Sequence, residues 1–263
     1  MLTPALFIGH GSPMYAIEPN RYTQSWTKLG QSIPQPRAIL MLSAHWYTRG
    51  IWLTAMQQPK TIHDFSGFPE ELSAIQYPAP GSPELAERVR DLIEPHFANI
   101  TLEEAEWGLD HGSWSILKYV YPKANIPVIQ MSIDATLKNE DHWKLGQLLQ
   151  SLRHENVLII SSGNVVHNLR LLSRNSVSPP PWATAYEEFF KYHLMTNDFE
   201  PLIHWENSSP YASYAIPTPE HYLPAIYTLG LKHEDESASV ITEGIEMSSI
   251  SMLSFGFGLP PIQ

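Results

Sequence analysis

The chain contains no cysteine among its 263 residues. That excludes a disulfide framework and takes thiolate away from any metal site, so iron–sulfur clusters and cysteine-ligated zinc are ruled out. Charged residues are scarce at 16%, and the balance is acidic, with 27 Asp and Glu against 16 Lys and Arg and a formal net charge of −11. Such a surface repels phosphate backbones and anionic lipid, so the expected partner is a small molecule, with no nucleic acid and no membrane. No apolar run approaches the roughly 18 to 20 residues of a membrane span. The opening segment MLTPALFIGHGSP has neither the basic start nor the apolar length of a signal peptide. A soluble cytoplasmic protein is the expectation. P-loop, G-x-G-x-x-G and G-x-S-x-G motifs are missing too, as are repeats and heptads.

What is present is a globular composition, 43% hydrophobic, on a length suited to one domain spanning 1–263. Apolar runs predict strands at 5–8, 38–42, 51–55, 128–133 and 157–161, with 240–242 and 251–255 closing the chain. Helical patterns lie between them. SPELAERVRDLIEPH carries Ser82 as N-cap and Pro83 at the first helical position, and NEDHWKLGQLLQSLR puts Trp143, Leu145, Leu148, Leu149 and Leu152 on one stripe. Alternation of strands and helices predicts an α/β fold, a single domain with a central mixed, mainly parallel sheet covered by helices on both faces. The stretch 197–219 has little periodicity and reads as a long ordered loop.

The chemistry is carried by histidine, of which there are 12. His10 in ALFIGHGSP and His45 in RAILMLSAHW each follow an apolar strand, where open α/β sheets place their ligands. If the two strands were neighbours, about 4.8 Å apart, both imidazoles would reach one ion. Without thiolate, the imidazole and carboxylate donors of these segments suit Zn, Fe(II), Mn or Ni better than Cu(I). His111, in WGLDHGSW ahead of a helix start at Ser113, is suited to donating a proton or hydrogen bond to bound oxygen. His167, beyond VLIISSGN, is either a fourth ligand or a general base, with a helix expected from Val165 onward. In PTPEHYLP either Glu220 or His221 could complete the shell, and the residues alone leave that open. His63 in TIHDFSGFP, beside Asp64 and two phenylalanines, is a candidate for lining a substrate site. His96, His142, His154, His193 and His233 read as solvated helical positions, and Glu103, Glu104 and Glu106 as a solvated acidic run.

Taken together, GHGSPM, SAHWYTRG, TIHDFSGFP, YPAPGSP, WGLDHGSW, SSGNVVHNLR, TPEHYLP and EGIEMSSISMLS resemble the DODA-type 4,5-DOPA extradiol dioxygenases of the LigB-like class III superfamily, over about residues 5 to 255. The resemblance implies a single LigB-like domain that opens a catechol such as DOPA with O2. It implies metal ligation by His10, His45 and His221, with His167 at or beside the metal and His111 in an acid/base or oxygen-stabilising role. It also implies Fe(II) as the active metal. Zn(II), being d¹⁰, could fill the same site in a purified sample without supporting the redox step. The wider superfamily commonly supplies a glutamate as third ligand, so the pair Glu220 and His221 keeps the first shell open. Two rivals share the same histidines: a zinc hydrolase, which needs no oxygen, and a non-enzymatic metal-stabilised interaction protein.

Overall fold

The computed structural model describes residues 2–174 and 178–260. Its strands are β1 (Ala5–Gly9), β2 (Ala38–Thr48), β3 (Ile51–Thr54), β4 (Ile100–Glu103), β5 (Val128–Asp134), β6 (Val157–Gly163), β7 (Ala238–Thr242), β8 (Ile245–Glu246), β9 (Ile250–Ser251) and β10 (Ser254–Phe257). Eight of them form one sheet in the order β4-β3-β5-β2-β6-β1-β10-β7, and β8 and β9 form a separate hairpin. The four central strands β5, β2, β6 and β1 run parallel. Antiparallel pairing enters where β3 meets β5 and where β10 joins β1 and β7.

The near-continuous apolar runs follow from burial on both faces, which removes any need for polar alternation. Every residue of β1, β5 and β6 is buried. Phe7, Leu40, Leu42 and Ile159 point to one face, under the helices Pro83–Ile93, Asn139–Leu149, Pro181–Met195 and Leu223–Gly230. Leu6, Ile8, Ile39, Met41, Leu158 and Ile160 point to the other, under the helices Arg21–Ser32 and His111–Val120. The helix at Pro83 starts as its sequence suggests, the Ser82 hydroxyl accepting from Leu85 N at 3.2 Å.

Four expectations need correction. The stretch 197–219 is not one loop: it folds into short helical turns at Glu200–Ile203, Trp205–Asn207 and Ala212–Ala215, too brief to show periodicity. No helix begins at Val165; a 3-10 turn at Leu169–Leu171 follows instead, and His167 bridges to Ile250. The run expected at 251–255 is interrupted, its start pairing with β8 and its end with β1. His142 is not solvated. It is 1% exposed, with Nδ1 2.9 Å from the Tyr227 hydroxyl.

Burial holds the His142 imidazole down to about 4. At pH 7 it is neutral in both the folded and unfolded chain. Below about 6.5 the unfolded chain takes up a proton that the folded chain refuses until about pH 4, so stability falls as pH drops through that window. His142→Gln should remove on the order of 3 kcal/mol of acid sensitivity across it, read as the difference between the two proteins' urea midpoints at each pH. Parallel pH profiles would exclude His142 as the source.

Arg153 is fully buried and ties three parts of the chain together. It donates to Thr3 O at 2.7 Å, Leu231 O at 2.6 Å and the Glu236 carboxylate at 2.7 Å. Arg153→Met removes the charged partner of that carboxylate, which keeps only the His233 backbone N–H, and takes a donor from the carbonyls of Thr3, Leu231 and Phe257. The expected loss is about 3 to 5 kcal/mol, measurable by chemical denaturation. A change under about 1 kcal/mol, the worth of one ordinary hydrogen bond, would show that water replaces the guanidinium.

Candidate metal centre

The carboxyl ends of β1, β6 and β2 form one edge of the sheet, and five imidazoles gather over it. β1 and β2 are not neighbours, the condition under which the sequence reading brought their histidines to one ion. β6 lies between them, pairing with each. His10 nevertheless reaches His45, their Nε2 atoms 3.1 Å apart, because both side chains lean across the end of the intervening strand.

His45 is not in a loop after its strand but inside it. Pairing of β2 with β5 jumps from Leu42 opposite Met131 to Tyr47 opposite Ile133, five steps on one strand against two on the other. That bulge turns His45 off the regular pleat and toward the site. His221 arrives by close backbone contact. A Cβ on Gly163 would lie 2.2 Å from the His221 carbonyl, and the same carbonyl accepts from Asn164 N at 2.8 Å. Only glycine at the end of β6 lets the two chains meet there. Gly112 does the same for the helix His111–Val120, where an added Cβ would sit 2.5 Å from Ser43 Oγ and 3.0 Å from the His45 ring.

The ligand-capable atoms of His10, His45 and His221 lie within 4.8 Å of one another. Each of these rings has its Nδ1 beside an oxygen: Ser162 Oγ at 2.9 Å for His10, Asp64 at 3.2 Å for His45, Glu220 at 3.2 Å for His221. An Nδ1–H donated to each oxygen leaves all three Nε2 lone pairs bare. The rings are also neutral at pH 7. Burial, reinforced by the neighbouring imidazoles, holds His10 and His221 well below the ordinary histidine value, and burial with His111 brings His45 to about 3. Three uncharged, pre-oriented nitrogens form a donor set that fits a divalent transition ion.

Glu220 is not part of the His10, His45 and His221 group. It groups with His167 and His221 Nδ1, and accepts from Thr218 at 2.8 Å. His167 is stacked on His221, ring centroids 3.5 Å apart and planes 6° from parallel, with burial lowering it to about 4. It does not join the His10, His45 and His221 group.

His111 begins its helix, two residues ahead of the expected start, with Asp110 as the buried N-cap. Its ring lies 3.9 Å from that of His45. Both its Nδ1 and its backbone N–H donate to Asp64, each at 2.9 Å. Asp64 therefore orients His45 and His111 together, a role the sequence reading missed, although TIHDF had marked the segment. The adjacent aspartate was the signal, not the histidine. His63 itself turns its Nε2 to Ile75 O at 2.9 Å and packs on Phe65 and Trp114, outside the cleft lined by the other five histidines. Beneath the site, Asp110 accepts from Ser43 at 2.7 Å and from Gln130; burial pushes its carboxyl up to about 6.

No helix among the described residues is long and apolar enough to cross a membrane. Residues 4–258 match the family described as the catalytic LigB subunit of aromatic ring-opening dioxygenase. The chain is 48% identical to a 4,5-DOPA dioxygenase extradiol of Escherichia coli K12, over 97% of this chain and 94% of that protein. It is 36% identical to a protein of the same name from Beta vulgaris, over 95% of each. A crystal structure of an uncharacterized Escherichia coli K12 protein superposes with a TM-score of 0.85 at 43% identity, covering 97% of this chain and all of that one. With a near full-length family match, close relatives of the same length and a histidine-built metal site at the sheet edge, the chain belongs to the LigB family of aromatic ring-opening dioxygenases.

Proposed function

We propose that this extradiol dioxygenase cleaves the 4,5 bond of DOPA or a close catechol, using Fe(II) held by Nε2 of His10, His45 and His221. The observation that supports this most is the arrangement of those three rings, each with Nδ1 beside an oxygen and with one ligand-capable nitrogen of each within 4.8 Å of the others. The names of the relatives support the substrate class. When bound, such an ion supplies a common site for both catechol oxygens and O2 and lets electrons pass between them.

The chain's own residues orient the substrate and move protons. His167, neutral at pH 7 and stacked on His221, takes a proton from a catechol hydroxyl at its free ring nitrogen. His111, held by Asp64 through Nδ1, presents Nε2 to oxygen and carries a proton there for ring opening. Leu169, Leu172 and Ile250 line the same cleft and limit water around the ring.

The test is anaerobic reconstitution with Fe(II), followed by O2 and DOPA. The expected result is oxygen uptake equal to catechol consumed, with both oxygen atoms in a ring-opened product. Reconstitution with Zn(II) should leave the site filled and turnover absent. Hydrolytic turnover with zinc and no oxygen uptake would replace this reading with the hydrolase.

A further inference from the structure

The histidine cleft has a volume of about 230 Å³. A cavity of about 150 Å³ holds benzene, so the cleft takes a catechol ring and little more. Whatever the ring carries must project outward. The cleft opens into a larger recess of about 580 Å³, with Ser12, Phe68, Arg174 and Met247 lining both.

Across these two spaces the charged side chains other than histidine are Arg174, at the junction, and Glu18, in the outer recess. Both are exposed, and neither forms an ion pair among the described residues. One unpaired cation and one unpaired anion in an otherwise uncharged recess complement a ligand bearing one charge of each sign.

The backbone around Arg174 is anchored from across the recess. Ser173 N donates to Met247 O at 2.9 Å, and Asn168 N to Ser249 O at 3.1 Å. Met247 and Ser248 both adopt left-handed backbone, φ 47° and 69°, at the tip of the β8–β9 hairpin. Side chains other than glycine seldom hold that conformation, and it persists where the surroundings enforce it. Here it turns Met247 into the shared wall and its carbonyl toward Ser173.

Resting on the catechol reading above, we infer that Arg174 and Glu18 form a subsite for the amino-acid end of the substrate, Arg174 receiving the carboxylate and Glu18 the ammonium. The enzyme thereby selects a catechol carrying a zwitterionic side chain over one that carries a single charge or none.

The test compares two half-substrates on the Fe(II)-loaded enzyme: 3-(3,4-dihydroxyphenyl)propanoate, which keeps only the carboxylate, and dopamine, which keeps only the ammonium. The ratio of kcat/KM for the propanoate to that for dopamine should fall about tenfold in Arg174→Gln and rise about tenfold in Glu18→Gln, roughly the effect of one charge-assisted contact near solvent. For DOPA, both variants should lose kcat/KM chiefly through KM. A variant damaged only in folding lowers both half-substrates together and leaves the ratio in place. A ratio unmoved in both variants, or moved in the same direction by both, overturns the subsite. Wild-type enzyme that opens none of these catechols overturns the ring-cleavage reading, and the subsite with it.

Discussion

His10→Ala, His45→Ala and His221→Ala are each expected to emerge from Fe(II) reconstitution nearly metal-free and without ring-cleaving activity. Losing even an outer partner of a ligating histidine typically costs about 10- to 100-fold in metal affinity, and losing the ligand itself should cost more. The measurement is metal content after desalting, paired with a check by circular dichroism that the fold is kept. Because the three apo rings are neutral at pH 7, these variants lose no buried charge and should remain folded. Full metal retention in any one of them would remove that residue from the shell. Asp64→Asn should lose less metal than His45→Ala, since an amide oxygen can still accept from Nδ1.

His111→Ala and His167→Ala are expected to separate proton transfer from metal binding. Both should cut single-turnover ring cleavage by roughly 10² to 10⁴-fold while keeping most of the metal. For His167 the argument comes from geometry: it stacks flat on His221 and stands outside the His10, His45 and His221 group. For His111, Nδ1 is already committed to Asp64, whose carboxylate also faces His45. Metal content and single-turnover rates on the same preparations decide the matter. A His167 variant that loses metal as His221→Ala does would make it a ligand, and an unimpaired His111 variant would remove that residue from the reaction.

Much of this is legible in the sequence, for physical reasons that differ between residues. Strands buried on both faces announce themselves as unbroken apolar runs, so β1, β5 and β6 were located to within two residues. The edge strand β4 was not, since ITLE is short and only half-buried. His10 was conspicuous because it ends such a run. His45 was conspicuous too, but its placement inside a bulged strand was invisible, since a bulge is a property of pairing with β5 and not of β2 alone. The choice between Glu220 and His221 depended on which way two adjacent side chains face, and adjacent residues on a non-regular loop carry no periodicity to tell them apart. Asp64 was hidden for the opposite reason: its partners, His45 and His111, lie far away in sequence. His142 misled because a helix with a polar composition can still press one polar residue into its neighbour.

His10 and His221, which the fold sets side by side over the sheet edge, are far apart along the chain, with His45 and His111 between them. An unfolded or partly synthesised chain therefore holds no preformed fragment of the site, and closing so long a loop around an ion is entropically costly until the sheet has assembled. Metal should then associate with the finished fold and scarcely with its precursors. By mass action, free metal at about 100 times its dissociation constant would add roughly 2.7 kcal/mol to the apparent stability. The melting temperature of this protein is accordingly a reading of metal supply as much as of sequence, and a chelator lowers it without touching a single contact in the core.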